Sequence, residues 1–243
     1  MAYINGQYVA FSPSVVITNG YTEKDLANAF SNGQKTEYDH FWDNAQHYGN
    51  LTDYQFAFGG LTWNDETFKP KYSLRPENAR NMFVNTRISD LAKRLEESGV
   101  VLDTSNCLAC DRMFYLSLIT NAPTLVLTKV SNLNNICHSA YKLETIHLVI
   151  SDSGEQTFTD SFYKANTLTN FTFEGVIGQS IDFSYSPLSR ASIKNVINHL
   201  SETSVGKSVT FNLAAVISAF GTTSSIGWSN LEASKPNWNI ILV

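Results

Sequence analysis

Cysteine and histidine lie close together at two places in the middle of the chain. Cys107 and Cys110 have the spacing of a zinc-ligand pair, and Cys137 is followed directly by His138. Two adjacent residues are poorly placed to complete a tetrahedral zinc site with the first pair. Cys137 also stands where neighbouring segments carry phenylalanine, which is typical of a buried free thiol. We therefore expect core cysteines, no metal and no cofactor.

Carboxylates and histidines show no catalytic pattern. A glycosidase needs two carboxylates that face each other across a cleft, and no such pair stands out among the scattered acids Asp39, Asp43, Asp65, Glu66, Asp152 and Glu155. None of the five histidines accompanies a nucleophile motif, and no phosphate-binding or dinucleotide-binding motif is present. We therefore expect a protein that is not an enzyme.

One set of aromatic residues could form a ligand-binding surface. Tyr115 and Tyr163 each follow a large apolar residue of a repeated pattern, His138 takes the same place between them, and Tyr141 and Tyr185 lie nearby. Aromatic rings give a large, rigid contact area at low entropic cost, so stacked rings on one face can hold sugar rings. The alternative is that the rings pack between neighbouring segments. These five residues are the candidate ligand-binding residues.

The repeated pattern places these rings. ICHSAYKLETIHL can be laid over SFYKANTLTNFTF without a gap, and five apolar or small positions then match. The matched residues are Cys137, Ala140, Leu143, Ile146 and Leu148 in the first segment and Phe162, Ala165, Leu168, Phe171 and Phe173 in the second. The pattern predicts a large anchor, a small residue where backbones crowd, and a short strand with two inward residues.

Weaker copies of the pattern begin at Phe83, Phe114 and Phe183. Recurrence every 20–30 residues or so is typical of a solenoid, in which each coil covers the core of the next. We predict a leucine-rich-repeat-like solenoid over 79–188, interrupted by a helical insertion in SDLAKRLEESGVVLD.

The segments on either side of the repeats differ from them. Residues 1–50 contain YINGQYVAF, whose Asn-Gly pair predicts a hairpin, and a predicted helix from Glu23 to Tyr48. The last part of that helix carries a narrow apolar seam of Tyr38, Phe41, Ala45 and Tyr48, which indicates either packing on its own domain or a short coiled coil between subunits. We predict that 1–50 mediates attachment and self-association, with a homotrimer preferred. Residues 51–78 are predicted to be an aromatic connector.

Residues 189–243 are predicted to form a C-terminal α/β cap. The pattern predicts a helix with Ile193, Val196, Ile197 and Leu200 on one face, a strand in KSVTFNL and a short helix around Ala214–Phe220. A turn at Trp228–Leu231 and a final strand in NWNIILV follow. The complete prediction is an α+β fold: hairpin and helix, solenoid, and cap.

Composition excludes several classes of protein. The 243 residues carry a net charge of −5 and no basic cluster, which argues against a nucleic-acid partner. No apolar run is long enough to span a bilayer, and the first residues do not read as a signal peptide. Three cysteines are too few and odd in number for a disulfide framework, so we expect synthesis in a reducing cytoplasm.

The unit F-x-x-[small]-x-x-L-x-x-[IF]-x-[LF] resembles the BspA-type leucine-rich repeat. The wider arrangement, with KTEYDHFWDNAQHYGNLTDYQFAFGGLTWNDETFKPKY before the repeats and LTNFTFEGVIG and KPNWNI after them, resembles leucine-rich repeat proteins encoded in phages and prophages of gut Firmicutes. The opening MAYINGQYVAFSP is similar to the N-terminal hairpin of phage structural proteins. The resemblance covers most of the chain from about Lys35.

The resemblance implies a virion protein, made in the cytoplasm of a bacterial host, with a tail-fibre or receptor-binding role. Other tail or baseplate proteins would then bind its N-terminus, and a host-surface glycan or protein its outer part. Two alternatives stay open: a tail-borne depolymerase on the same solenoid, and a baseplate or head decoration protein without a ligand.

Overall fold

A computed structural model describes residues 2–4, 7–9, 52, 54–61, 63–66, 68–71 and 73–243 of the chain. Within these residues the protein is a mixed α/β structure with four helices and small, mostly parallel sheets. The strands are β1 (Ala2–Ile4), β2 (Gln7–Val9), β3 (Leu125–Val126), β4 (Thr145–Val149), β5 (Asn170–Glu174), β6 (Ile181–Phe183), β7 (Lys207–Phe211) and β8 (Trp238–Leu242). The helices are α1 (Leu91–Glu97), α2 (Arg190–Asn198), α3 (Leu213–Phe220) and α4 (Ile226–Ala233).

The N-terminal hairpin predicted from the Asn-Gly pair is confirmed. β1 and β2 pair antiparallel, with Ala2 opposite Val9 and Ile4 opposite Gln7. The predicted helix from Glu23 to Tyr48 and its apolar seam lie outside the described residues.

Parallel pairing of consecutive segments organises the middle of the chain. β3, β4 and β5 form one sheet, in which Leu125 is paired with Leu148, and Ile146 with Phe171. The register is therefore the one obtained by laying one sequence segment over the other. Burial alternates along β5, where Phe171 and Phe173 point inward, because successive side chains of a strand point to opposite faces.

Before each strand region the backbone runs through tight turns that repeat from segment to segment. Residues two positions before and two positions after the five anchors from Phe58 to Phe162 have a positive φ. They are Phe56 and Gly60, Asn81 and Asn85, Arg112 and Leu116, Asn135 and Ser139, and Asp160 and Lys164. The backbone N–H groups of these turns donate to carbonyls of the next segment, as from Cys137 to Ser161 (2.9 Å) and from Ser139 to Tyr163 (2.7 Å). This ladder stacks one segment on another.

The anchors form a buried column that begins earlier than predicted. Phe58 stacks on Phe83 at 5.3 Å between ring centroids, and Phe83 on Phe114 at 5.7 Å. Phe58 lies in 51–78, which the sequence predicts to be a connector, yet its N–H donates to the carbonyl of Met82 as in later segments. The stacked arrangement therefore extends into 54–60, ahead of the predicted start at 79.

A change in spacing explains why this first segment is missed. The next large inward residue stands five positions after the anchor in the first three segments, as Trp63 follows Phe58. In the two segments that define the sequence pattern it stands six positions later, as Leu168 follows Phe162. A search with the six-residue spacing therefore passes over Trp63.

The C-terminal region alternates helices and parallel strands. β6, β7 and β8 form a second parallel sheet, and the predicted helices α2 and α3 and the predicted strands β7 and β8 are present. The predicted turn at Trp228–Leu231 is wrong, because α4 spans it. Ser225 caps α4 by accepting the N–H of Trp228, and the buried Trp228 ring packs on Phe211 and Phe220. Tertiary packing of one tryptophan thus overrides weak local preference.

A candidate binding surface of stacked rings

The structure brings four of the five predicted binding residues into one column. The rings of Tyr115 and His138 are 4.8 Å apart, those of His138 and Tyr163 are 4.9 Å apart, and those of Tyr163 and Tyr185 are also 4.9 Å apart. We call these four residues the ring column. Its first three members follow the anchors Phe114, Cys137 and Phe162 on successive segments, so the parallel stacking of those segments sets the ring spacing.

The rings of the column cover one another's faces. Tyr115 and His138 are nearly parallel, with 21° between their planes, whereas Tyr163 and Tyr185 meet edge to face at 69°. The first three rings are half-buried and Tyr185 is 41% exposed. Packing between segments and partial surface exposure therefore occur together in the ring column.

Tyr141 lies apart from the ring column. Its side chain is 40% exposed, and no ring contact joins it to the column among the residues that the structure describes. The backbone carbonyl of Tyr141 accepts a hydrogen bond from the Thr167 hydroxyl (3.0 Å), which ties its turn to the next segment. Tyr141 is thus a separate exposed aromatic residue, and it provides a natural control for the column.

The surroundings of His138 and Tyr185 in the ring column favour the neutral form of each side chain. Burial lowers the pKa of His138, although the nearby Asp160 carboxylate opposes this and Lys164 and Arg112 reinforce it. The His138 Nδ1 atom is also 3.0 Å from the Ser139 hydroxyl. At the exposed end, a hydrogen bond with the Tyr163 side chain raises the pKa of Tyr185. Phenol and neutral imidazole groups are therefore the polar atoms of the column.

Charged side chains surround the ring column, and they were not predicted from the sequence. The Lys164 Nζ atom lies 5.2 Å from the centre of the Tyr163 ring, a cation–π contact. Arg112, Lys164 and Asp160 all occupy positions of positive φ beside the anchors. The repeated turn geometry places these three residues beside the ring column, whereas in the sequence they are isolated charged residues.

The cysteines lie in the core. Cys107, Cys110 and Cys137 are free and buried. Burial raises the pKa of the Cys137 thiol, and a hydrogen bond with Cys107 together with burial raises that of Cys110. The same hydrogen bond lowers the pKa of Cys107. The thiols of Cys110 and Cys137 are held protonated, and protonated thiols are poor metal ligands. The described part of the chain contains no group of three or more His, Cys, Asp or Glu residues that could hold a metal ion.

The described carboxylates serve structural contacts or lie in solvent. Asp65 accepts hydrogen bonds from both the backbone N–H (2.9 Å) and the hydroxyl (2.5 Å) of Ser89. Glu66, Asp152 and Glu155 are exposed, and Asp39 and Asp43 lie outside the described residues. Of the acids considered in the sequence, Asp65 is therefore tied to Ser89, and the other three that the structure describes face solvent.

The structure also contains a cavity that the sequence did not predict. It is a cavity of about 500 Å³ between the start of α2 and α3, and it is lined in part by Arg190, Asn212 and Ser218. The Arg190 guanidinium lies 4.9 Å from the centre of the Phe220 ring. No spacing in the sequence links these residues, because they meet only when the two helices pack.

Comparison with known proteins identifies no relative. No protein-family model, no curated protein and no solved structure matches the chain. Among the residues that the structure describes, no helix is long and apolar enough to cross a membrane. What the ring column can do therefore follows from its own side chains and their surroundings.

Proposed function

We propose that the protein is a non-enzymatic component of a phage particle, a tail fibre or host-attachment module that binds a host-surface glycan or protein. The observation that carries the proposal is the ring column, whose partly exposed rings lie on a regular stack of segments. The resemblance of the sequence to phage-encoded BspA-type repeats supplies the biological setting.

We further propose that this stack is a leucine-rich-repeat-like solenoid. Three features support it: the parallel pairing, the positive φ values that recur beside the five anchors from Phe58 to Phe162, and the hydrogen bonds that run from each segment to the next. In a solenoid each coil supplies the floor for its neighbour. A ligand would thus meet side chains at a fixed spacing, which lowers the entropic cost of binding.

The chemistry of the ring column suits a carbohydrate chain. Phenol hydroxyls and imidazole nitrogen can exchange hydrogen bonds with sugar hydroxyls, and the ring edges offer apolar contact beside them. Arg112, Asp160 and Lys164 add charged donors and an acceptor around the column. A neutral or weakly charged polysaccharide of a bacterial surface is the ligand class that this mixture favours.

Attachment to the particle is assigned to 1–50. In this proposal the hairpin and the following segment bind other tail or baseplate proteins and join copies of the chain, with a trimer preferred. An isolated two-stranded hairpin is marginally stable in water, which favours a hairpin that adds to a larger structure. These contacts involve residues mostly outside the described part of the chain.

The test is retention on cell-wall polysaccharides from a panel of gut Firmicutes. We expect the full chain to be retained without producing new reducing ends. Tyr163→Ala, which removes a central ring, should weaken retention about tenfold or more, whereas Tyr141→Ala should leave it unchanged.

The other possible outcomes would each contradict part of this proposal. New reducing ends would indicate the depolymerase instead. No retention on any wall preparation would favour a ligand-free baseplate or decoration protein. Equal losses for Tyr163→Ala and Tyr141→Ala would exclude the ring column as the binding surface.

A further inference from the structure

The sheet formed by β6, β7 and β8 ends at an open edge. β8 is the last strand in the sheet order, and β7 is its only pairing partner among the residues that the structure describes. A strand edge carries unpaired backbone N–H and C=O groups, which another strand can extend. The element that fits against β8 is therefore an extended strand.

The hydrophobic core is also open at this edge. Phe183, Phe211 and Leu242 lie in one cross-strand row. The first two are almost completely buried, whereas Leu242 is only partly buried. The neighbouring row shows the same change, from fully buried Val209 to partly buried Ile240. Both inward rows lose their cover at β8, where the described part of the chain supplies no further layer.

Another strand edge of the protein is protected, whereas none of the described residues protects this one. At β5, helix α2 replaces a neighbouring strand: the N–H of Phe171 donates to the Ser192 hydroxyl, and the N–H of Phe173 to the Asn195 side chain. β8 has no such cover among the described residues, and its sequence WNIIL contains neither a charge nor a proline. Edge strands that stay free in solution usually carry such protection.

Strand β8 and helix α3 carry no charged side chain and expose several apolar ones. Ile241, Val243 and Leu213 are all exposed, and the N–H of Leu213 donates to the carbonyl of Val243, so that α3 begins beside the edge. Neither β8 nor α3 contains a charged residue. A two-fold axis sets a surface against itself, so the surface must be self-complementary. A neutral patch on a chain with a net charge of −5 meets that condition.

We propose that β8 pairs with β8 of a second copy of this chain, antiparallel and with Ile240 at the two-fold axis. Trp238 then faces Leu242 of the partner copy, and Asn239 faces Ile241. This register keeps every inward side chain inward, which a shift by one residue would reverse. The two three-stranded sheets become one continuous sheet, and Ile240 and Leu242 gain cover. The inference does not depend on the proposed function.

The test compares the mass of the full chain with that of Ile241→Lys by sedimentation velocity. Ile241 points outward, so a lysine there leaves the core of the single chain intact. It places a cation in the interface and sets two like charges on a diagonal pair of positions. We expect the mass of Ile241→Lys to be half that of the full chain, whatever oligomeric state residues 1–50 produce. Leu108→Lys, at a position that is 60% exposed elsewhere, should leave the mass unchanged.

A double variant makes the register testable. Asn239→Glu combined with Ile241→Lys places a carboxylate opposite each new ammonium group across the two-fold axis, and we expect it to restore the doubled mass. Equal masses for the full chain and Ile241→Lys would overturn the proposal. If Ile241→Lys halves the mass but the double variant does not restore it, the antiparallel register centred on Ile240 is wrong.

Discussion

The side chain of Asn195 forms two hydrogen bonds with the backbone of Phe173. Its Oδ1 atom accepts the N–H of Phe173 (2.6 Å), and its Nδ2 group donates to the carbonyl of the same residue (3.3 Å). One turn earlier, the Ser192 hydroxyl accepts from Phe171 and donates to Thr169. Helix α2 thus offers side-chain donors and acceptors where a strand would offer backbone groups, and it ends the sheet at β5.

Asn195→Ala should destabilise the protein. It leaves the N–H and C=O groups of Phe173 without these partners at a half-buried edge, which costs about 1–3 kcal/mol in the free energy of unfolding. Urea denaturation followed by circular dichroism measures this loss in the free energy of unfolding. Lys194→Ala, on the exposed face of the same helix, should change stability by less than about 0.5 kcal/mol. A loss for Asn195→Ala no larger than that for Lys194→Ala would show that the two hydrogen bonds with Phe173 add nothing to the stability of the fold.

Gly178→Ala should destabilise by a steric mechanism. A Cβ atom at Gly178 would collide with the backbone carbonyl of Gly154 in the preceding segment. We expect a loss of about 2–3 kcal/mol, since neither backbone can move without breaking the stack. Gly206→Ala is the matched control, because Gly206 has a positive φ but open space around its Cβ. It should lose only about 1–2 kcal/mol from left-handed strain. Similar thermal-denaturation losses would contradict the close approach.

His138 should make stability depend on pH. Because burial lowers its pKa in the folded protein below the ordinary value of 6.5, the unfolded chain binds the proton more tightly. The stabilisation that neutral His138 provides is complete above pH 6.5, and it is lost as the pH falls through the lower pKa of the folded state. His138→Phe retains an aromatic ring between Tyr115 and Tyr163 but cannot titrate. Its melting temperature should fall less than that of the unaltered chain between pH 7.5 and 5.5. If the melting temperatures of both proteins change equally with pH, His138 is protonated in the folded protein as readily as in the unfolded chain.

The three cysteines should be protected in the native protein. The pKa values of Cys110 and Cys137 are raised, whereas the hydrogen bond with Cys110 lowers that of Cys107. All three are buried, and alkylation requires a thiolate that is also accessible, so burial protects Cys107. Iodoacetamide at pH 8 should modify none of them within an hour, and all three after unfolding in guanidinium, as read by intact mass. Rapid native labelling of Cys107 or Cys110 would show that this part of the core opens easily.

The sequence alone determined which residues face the core of the repeated segments. The overlay that aligns Leu148 with Phe173 is the register of the parallel sheet, because large residues at a set spacing have only one way to be buried together. The hairpin, helix α1 and the apolar face of α2 were predicted for the same reason. Their signals are local, and residues a few positions apart decide them.

Only the tertiary structure decided what covers each segment. The early start of the column at Phe58, the helix around Trp228, the covered ring faces of the ring column and the bare edge of β8 all depend on residues far away in the chain. Local spacing sets the direction of a side chain, but its exposure depends on whether another segment stacks over it. That is why a sequence can predict the position of Tyr163 beside its anchor, whereas its contacts with His138 and Tyr185 follow from the stacking of neighbouring segments.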